Sequence, residues 1–372
     1  MLGLLTLAEL LGMSPWLLFS AASGQLSEAW GLTTGDLAWL AALVQLGFVA
    51  GTLTSAVLNL PDLIPARALF GGSAFLVALA NALPVVAPGF GPGLLSRFLT
   101  GFFLAGVYPP AMKMASTWFK DARGLAIGVI VAGLVAGKAL PYLVGHVPWP
   151  RLLLGSSAGA ALAGLLVAAG YLDGPHAFPR RRFSWSLVPA ILKHRPTRLA
   201  IAGYLGHMWE LYAMWTWLPA FLRASKIGAA GALTFAAIAA GALGSVWGGW
   251  LGDRRSRAFV ANASMAASGA CALAVGVAPD VLLIPLLLVW GFFVVSDSAQ
   301  FSALVTEHAP PDAVGTALTL QTSLGFLLSM ATIQLVPRIA DVQGWSWAFA
   351  VLAAGPALGI VAIERLRRVL TK

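Results

Sequence analysis

Apolar runs of helical length recur along the whole chain, punctuated by short clusters of Gly, Pro and charge. A helix needs roughly 20 apolar residues to cross the hydrocarbon core of a bilayer, so each run is long enough to span one. Only 10% of the residues are charged and 59% are hydrophobic, whereas soluble domains carry about 25% charged residues. A single soluble core stops growing near ~250–300 residues, so 372 residues of this composition cannot hide their apolar surface in water. The solvent is largely lipid. Run length, and the Gly and Ala scattered through every run, argue against a β-barrel with its alternating segments of about 10 residues.

Twelve spans emerge, near residues 2–24, 36–58, 66–87, 92–115, 123–145, 149–172, 199–222, 229–251, 257–278, 281–305, 312–336 and 345–364. The longest non-apolar stretch, 173–198, divides them into six and six, giving an N-terminal bundle (1–172), a linker and a C-terminal bundle (199–372) with a short basic tail. The opening "MLGLLTLAELLGM" lacks a basic n-region and is interrupted by Glu9, so it reads as a retained first helix. The single cysteine, Cys271, excludes an intramolecular disulfide and reads as a small buried hydrophobe.

Placing the N-terminus inside puts sixteen Lys/Arg residues in inner loops and tail, among them Lys120, Arg123, Arg180, Arg181, Arg182 and Lys372, against four in outer loops. Cytoplasmic loops carry the Lys/Arg excess, so both termini are expected in the cytoplasm and the chain in the cell membrane. The net charge of +9 then reflects topology; a nucleic-acid partner would need a basic face on a soluble module.

The halves repeat. Span 1 reads "ELLGMSPW" from Glu9 and span 7 "ELYAMWTW" from Glu210, both fitting E-L-x-small-M-x-x-W. Spans 4 and 10 share Gly-Phe-Phe, at 101–103 and 291–293, and spans 5 and 11 open on Gly-x-Ala. Parallel six-helix repeats are a transporter architecture. "GGWLGDRRSR" (248–257) closely matches the G-x-L-x-D-R-x-x-R loop of the major facilitator superfamily, at the loop between spans 8 and 9 where that family carries a copy. "NLPDLIPAR" (59–67) is a degenerate first copy retaining Asp62 and Arg67, and "RFLTG" (97–101) matches the family's R-x-x-x-G motif. The chain thus resembles a major facilitator transporter along essentially its whole length. The resemblance implies an all-α membrane fold of twelve transmembrane helices in two pseudo-symmetric bundles, with spans 1, 4, 7 and 10 around a central cavity. Within the superfamily the look is similar to bacterial nitrate/nitrite and cyanate-type permeases, but spans 2 and 8 hold none of the arginines that nitrate porters use. The Gly-Pro motif of drug/proton antiporters is also missing from span 5.

Six formally charged residues fall within the spans, away from the loops: Glu9, Glu210, Asp297, Arg97, Lys113 and Lys138. A charge at mid-membrane costs roughly 2.5–3.5 kcal/mol even on insertion scales, so such residues face a cavity or one another. Glu9 and Glu210, on the same helix face as Met13 and Trp16 and as Met214 and Trp217, are expected to couple protons or bind substrate; the alternative is a lock between helices. Glu210 has about eleven residues of helix before it and Glu9 only eight, so either the first helix begins abruptly or further residues precede it. Asp297 and Gln300 are expected in the cavity, or in polar packing between helices. Lys138 meets an anionic substrate or pairs with an acid, whereas Lys113 snorkels. Arg97 follows a family motif whose arginine serves proton transfer or packing in relatives. His207 with Glu210 gives H-x-x-E, which without further ligands reads as a hydrogen-bonded His or a proton relay; no metal and no cofactor are expected. Trp16, Trp217 and Tyr108 are the aromatic cavity candidates, with Trp217 preferred to Trp215 because the two lie about 200° apart on a helix.

The function expected is secondary active transport of a small organic solute, with proton symport by alternating access, in a monomer. Asp253 with Arg254 and Arg257, and Asp62 with Arg67, would form the cytoplasmic gate. Alternatives are a proton-coupled exporter and a non-transporting sensor or scaffold. An enzyme is not expected, since no nucleophile–base pair stands out.

Overall fold

The computed structural model describes residues 1–119, 123–176 and 183–371, and of Arg123 the backbone only. Lys120, Arg180, Arg181, Arg182, Lys372 and the Arg123 side chain therefore lie outside the described residues. Among those described, the secondary structure is helical with no strand.

Helices occupy all twelve expected positions. Nine of these, among the described residues, are long and apolar enough to cross a membrane. The other three are Leu2–Met13 in span 1, Arg195–Ala224 in span 7 and Arg257–Ala274 in span 9. Span 1 is too short by itself because its helix stops at Met13, and a turn over Ser14–Leu17 precedes Leu18–Ala21. Pro15 explains the stop: it has no N–H to donate and its ring clashes with the preceding turn. The expected continuous helix over 2–24 is corrected accordingly.

Span 4 is likewise two helices, Phe90–Leu104 and Tyr108–Trp118, with Pro109 and Pro110 in the first turn of the second. A missing N–H costs nothing there, because the first N–H groups of a helix have no partner within it. Span 10 breaks at the corresponding place, between Asp280–Ser296 and Ser298–His308, with Asp297 at the joint and no proline nearby.

Glycine sets the packing. A Cβ on Gly47 of span 2 would meet the Phe98 carbonyl at 2.0 Å, and one on Gly101 of span 4 the Val44 carbonyl at 2.0 Å. Spans 8 and 10 repeat this: a Cβ on Gly248 would meet the Ser296 carbonyl at 1.9 Å, and one on Gly291 the Ala237 carbonyl at 1.7 Å. Small residues let backbones approach this closely where lipid offers no hydrophobic drive for association. The same device joins span 5 to span 1, since a Cβ on Gly137 would lie 2.1 Å from the Leu10 carbonyl. That contact sets Lys138 beside the turn of span 1 that carries Glu9.

Candidate functional site

Lys138 is 1% exposed and lies where spans of both halves converge. Its Nζ sits 3.8 Å from the ring centroid of Trp16, 4.8 Å from that of Tyr212 and 5.8 Å from that of Trp215. It donates to the Tyr212 hydroxyl at 2.6 Å. Trp16 stacks on Tyr212 with centroids 5.6 Å apart, and Phe48 and Phe326 close the cluster, each against Trp16 and 4.7 Å from one another. An ammonium over a desolvated indole gains about 2 kcal/mol or more. Taking it out of water still costs several kcal/mol.

Glu9 is fully buried, and neither of its carboxylate oxygens has a hydrogen-bond partner. Its charge interacts with that of Lys138, yet among the described residues no ion pair within 4.0 Å joins them. Tyr108 opens the second helix of span 4 and is half-buried. Trp16 and Lys138 share one buried centre with Tyr212 and Trp215 of span 7, and Glu9 lies on the part of span 1 that packs against span 5.

Glu210 lies on another face of span 7, with contacts that match the lock between helices given as the alternative. Its Oε1 accepts from Trp290 Nε1 at 2.6 Å and its Oε2 from Ser268 Oγ at 2.9 Å, on spans 10 and 9. Tyr212, two residues on and about 200° around the helix, takes the face toward Lys138. Glu210 is a lock inside the C-terminal half. Trp217 follows it, donating from Nε1 to the Ile333 carbonyl at 2.8 Å. Met214 and Met13 are buried core side chains.

His207 and Asp297 form a third group. His207 Nδ1 lies 2.9 Å from Asp297 Oδ1, and its Nε2 is 3.1 Å from Ser298 Oγ. The imidazole thus ties span 7 to the break in span 10. Arg97 does the equivalent work in the N-terminal half. Its guanidinium donates to the carbonyls of Pro15 and Trp16, at the break of span 1, and lies 4.8 Å from the Phe19 centroid. Helix ends leave carbonyls without intrahelical partners, and Arg97 satisfies two at once while fixing the backbone beneath the Trp16 indole.

Toward the basic loops the halves meet tightly. A Cβ on Gly249 would reach the Gly124 carbonyl at 2.4 Å, and Ser245 Oγ donates to the Gly128 carbonyl at 3.0 Å. Asp253 Oδ2 accepts from the Leu125 backbone N–H at 3.1 Å, at the N-terminus of span 5, where the helix dipole favours a carboxylate. The arginines of the motif do not join it. Arg254 lies over Trp250 at 4.1 Å, and Arg257 pairs with Glu307 while reaching Gln300. Gln300 donates to the Gly248 carbonyl at 2.9 Å, so it belongs to this packing and not to the centre. Asp62 lines a separate recess of about 320 Å³ with Lys113, Tyr171 and Asp173, while Arg67 is exposed. On the opposite side, the Tyr142 hydroxyl donates to the Trp215 carbonyl at 2.9 Å. The centre is closed from both sides.

Sequence reasoning passed over Phe48, Tyr204, Tyr212, Trp215 and Phe326. The available signal was helical phase: Tyr212 and Trp215 lie about 60° apart on one side of span 7, opposite Glu210.

The sequence model of the Major Facilitator Superfamily matches residues 4–333. A probable nitrate/nitrite antiporter of Thermus thermophilus, NarK1, is 29% identical over 174 residues, covering 46% of this chain and 35% of that protein. A probable nitrate/nitrite transporter of Mycobacterium tuberculosis, NarK2, is 30% identical over 239 residues, 56% of this chain and 57% of the relative. The MFS-type transporter pytF of Aspergillus terreus is 24% identical over 240 residues, 61% of this chain and 79% of that one. The matches thus span about a third and just over half of the two nitrate/nitrite relatives. Among solved structures, a bacterial homolog to the human lysosomal transporter Spinster, in an inward-facing and occupied conformation, superposes with a TM-score of 0.73 at 13% identity. That match covers 99% of this chain and 96% of the other, a likeness of fold. With its helical architecture, its paired halves and a family match over nearly its whole length, this multi-pass membrane chain belongs to the Major Facilitator Superfamily.

Proposed function

We propose that the chain is a secondary active transporter that moves a small organic solute together with a proton, by rocking of residues 1–172 against 199–372. The observation that carries this reading is Glu9, a fully buried carboxylate with both oxygens unpartnered. An ionised group so placed is costly unless a proton, a cation or a ligand neutralises it, which suits a group that loads and unloads during a cycle. Lys138 stands on span 5, whose glycines pack on the backbone of span 1, and its hydrogen-bond partner Tyr212 is on the other half. A change in charge at Glu9 therefore acts where the halves join.

Glu210, accepting from Trp290 and Ser268, has the partners of a structural group, so the coupling role passes to Glu9. Asp253 is the gate residue of this reading, holding the side of the basic loops closed through span 5. That side is the cytoplasmic one by the excess of Lys and Arg, and the chain acts as a monomer in the cell membrane. Nitrate is a poor fit as cargo, because spans 2 and 8 hold no arginine.

The test is exchange in proteoliposomes carrying an inward proton gradient, with a mixed metabolite pool followed by mass spectrometry. Accumulation by wild type and not by Glu9→Gln supports symport. Loss of preloaded compounds instead makes the chain an exporter, and no gradient-driven movement in either direction overturns the transport reading.

A further inference from the structure

We propose that Lys138, at the aromatic centre where the halves meet, receives the carboxylate of a small organic anion, and that one proton is loaded on Glu9 for each anion bound. The inference rests on the transport reading above and names its substrate class.

Unmet donors carry the first step. An ammonium has three N–H donors, and Lys138 spends one on Tyr212. The indole Nε1 groups of Trp16 and Trp215 are buried without an acceptor, on two of the rings that lie against that ammonium. Buried donors left unpaired cost about 1–3 kcal/mol each. An anionic acceptor entering here meets a cation and unsatisfied N–H groups together. A cationic solute would instead have to enter an aromatic cage that Lys138 already fills. Trp16, Tyr212, Phe48 and Phe326 supply an apolar wall for the organic part of the ligand.

Charge balance carries the second step. Whether the proton sits on Lys138 or has passed to Glu9, the pair carries no net charge, and a bound carboxylate would leave the centre with one buried negative charge. An uncompensated buried ion costs several kcal/mol. Protonation of Glu9 from solvent removes it, so anion and proton enter as a pair.

The groups around Glu9 leave it this role. Span 5 presents Lys138 and, one turn on, Tyr142, whose hydroxyl is bound to the Trp215 carbonyl. From span 4 come Tyr108, Lys113 on the Pro61 carbonyl, and Arg97 on the Pro15 and Trp16 carbonyls. Span 7 adds Tyr204 and Tyr212. Span 6 packs along the same helix, and its one charged residue is the exposed Arg151 at its far end. Of these cations, Lys138 stands on the helix whose glycines pack directly on the turn of span 1 that carries Glu9.

The experiment uses the purified full chain in detergent, titrated with pyruvate, with benzoate and with tetramethylammonium. Tryptophan fluorescence reads binding, and a pH indicator in weak buffer reads proton exchange. A carboxylate is expected to bind with uptake of about one proton, so that its affinity rises as pH falls, by up to about tenfold per pH unit. Lys138→Gln should weaken that binding at least about tenfold, and Lys138→Arg less. Glu9→Gln should abolish proton uptake and flatten the pH dependence, a readout that stands even if the Lys138 variants fail to fold. Binding of neither carboxylate overturns the proposal, as does carboxylate binding without proton uptake, or tetramethylammonium binding with proton release. Flux separates the two readings. Carboxylate-linked proton uptake without movement across a liposome keeps the site and removes the transporter. Gradient-driven flux of other solutes, with no carboxylate bound, does the reverse.

Discussion

Two glutamates in matching sequence contexts have opposite surroundings, and the difference lies in their neighbours. Glu9 is buried with no donor on either oxygen. Glu210 has one donor on each oxygen. Replacing Glu210 by Ala strands the Trp290 indole N–H and leaves a cavity, so it should destabilise the protein by about 2–4 kcal/mol. Thermal unfolding in detergent would register this as a lowered midpoint, and an unchanged midpoint would contradict the lock. Glu210→Gln keeps an acceptor for Trp290, so it should lower the midpoint far less. The E-L-x-small-M-x-x-W repeat made both residues visible as candidates. It did not reveal which way span 7 turns its faces, because that depends on what spans 9 and 10 present to it. Ser268 and Trp290 are unremarkable in sequence until the fold sets them against Glu210.

At the scale of the helix, three breaks shape the interior. Pro15 and the Pro109–Pro110 pair mark two of them in the sequence, and both occur where proline chemistry requires. The break at Asp297 carries no such mark; it is held by His207 and Ser298, side-chain contacts that sequence spacing does not disclose. Arg97 binds the carbonyls of the first break, and hydrogen bonds from a charged donor are worth about 1.5–3 kcal/mol each. Arg97→Ala should therefore cost about 3–5 kcal/mol. Arg97→Lys, a single donor point without the planar fork, should recover only part of it. Chemical denaturation of the three proteins would show this order, and equal stability of Ala and Lys variants would mean that the fork is not what holds the turn. Gly244 and Gly248 pack on span 10 backbone, while Gly252 abuts the Gln300 side chain.

For the whole molecule, the helical positions follow from apolar run length, a feature that depends on no tertiary detail. The gate is only partly so. Asp253 accepts from the Leu125 N–H of span 5, whereas Arg257 pairs with Glu307 and Asp62 lines its own recess. Asp253→Asn removes a carboxylate from a helix N-terminus, an interaction worth about 0.3–1 kcal/mol. Turnover should fall roughly two- to fivefold with little change in KM; poorer affinity at an unchanged rate would count against the gate. Gly249→Val places a side chain where the Gly124 carbonyl stands and should abolish turnover by preventing closure on that side, while substrate still binds. The central claim is that Glu9 carries the coupled proton. Its most direct test is proton influx into proteoliposomes on addition of a solute that wild type accumulates, compared with Glu9→Gln of equal folded content. The account predicts solute-dependent proton entry in wild type and none in the variant. Equal proton entry in both would place the coupling group elsewhere.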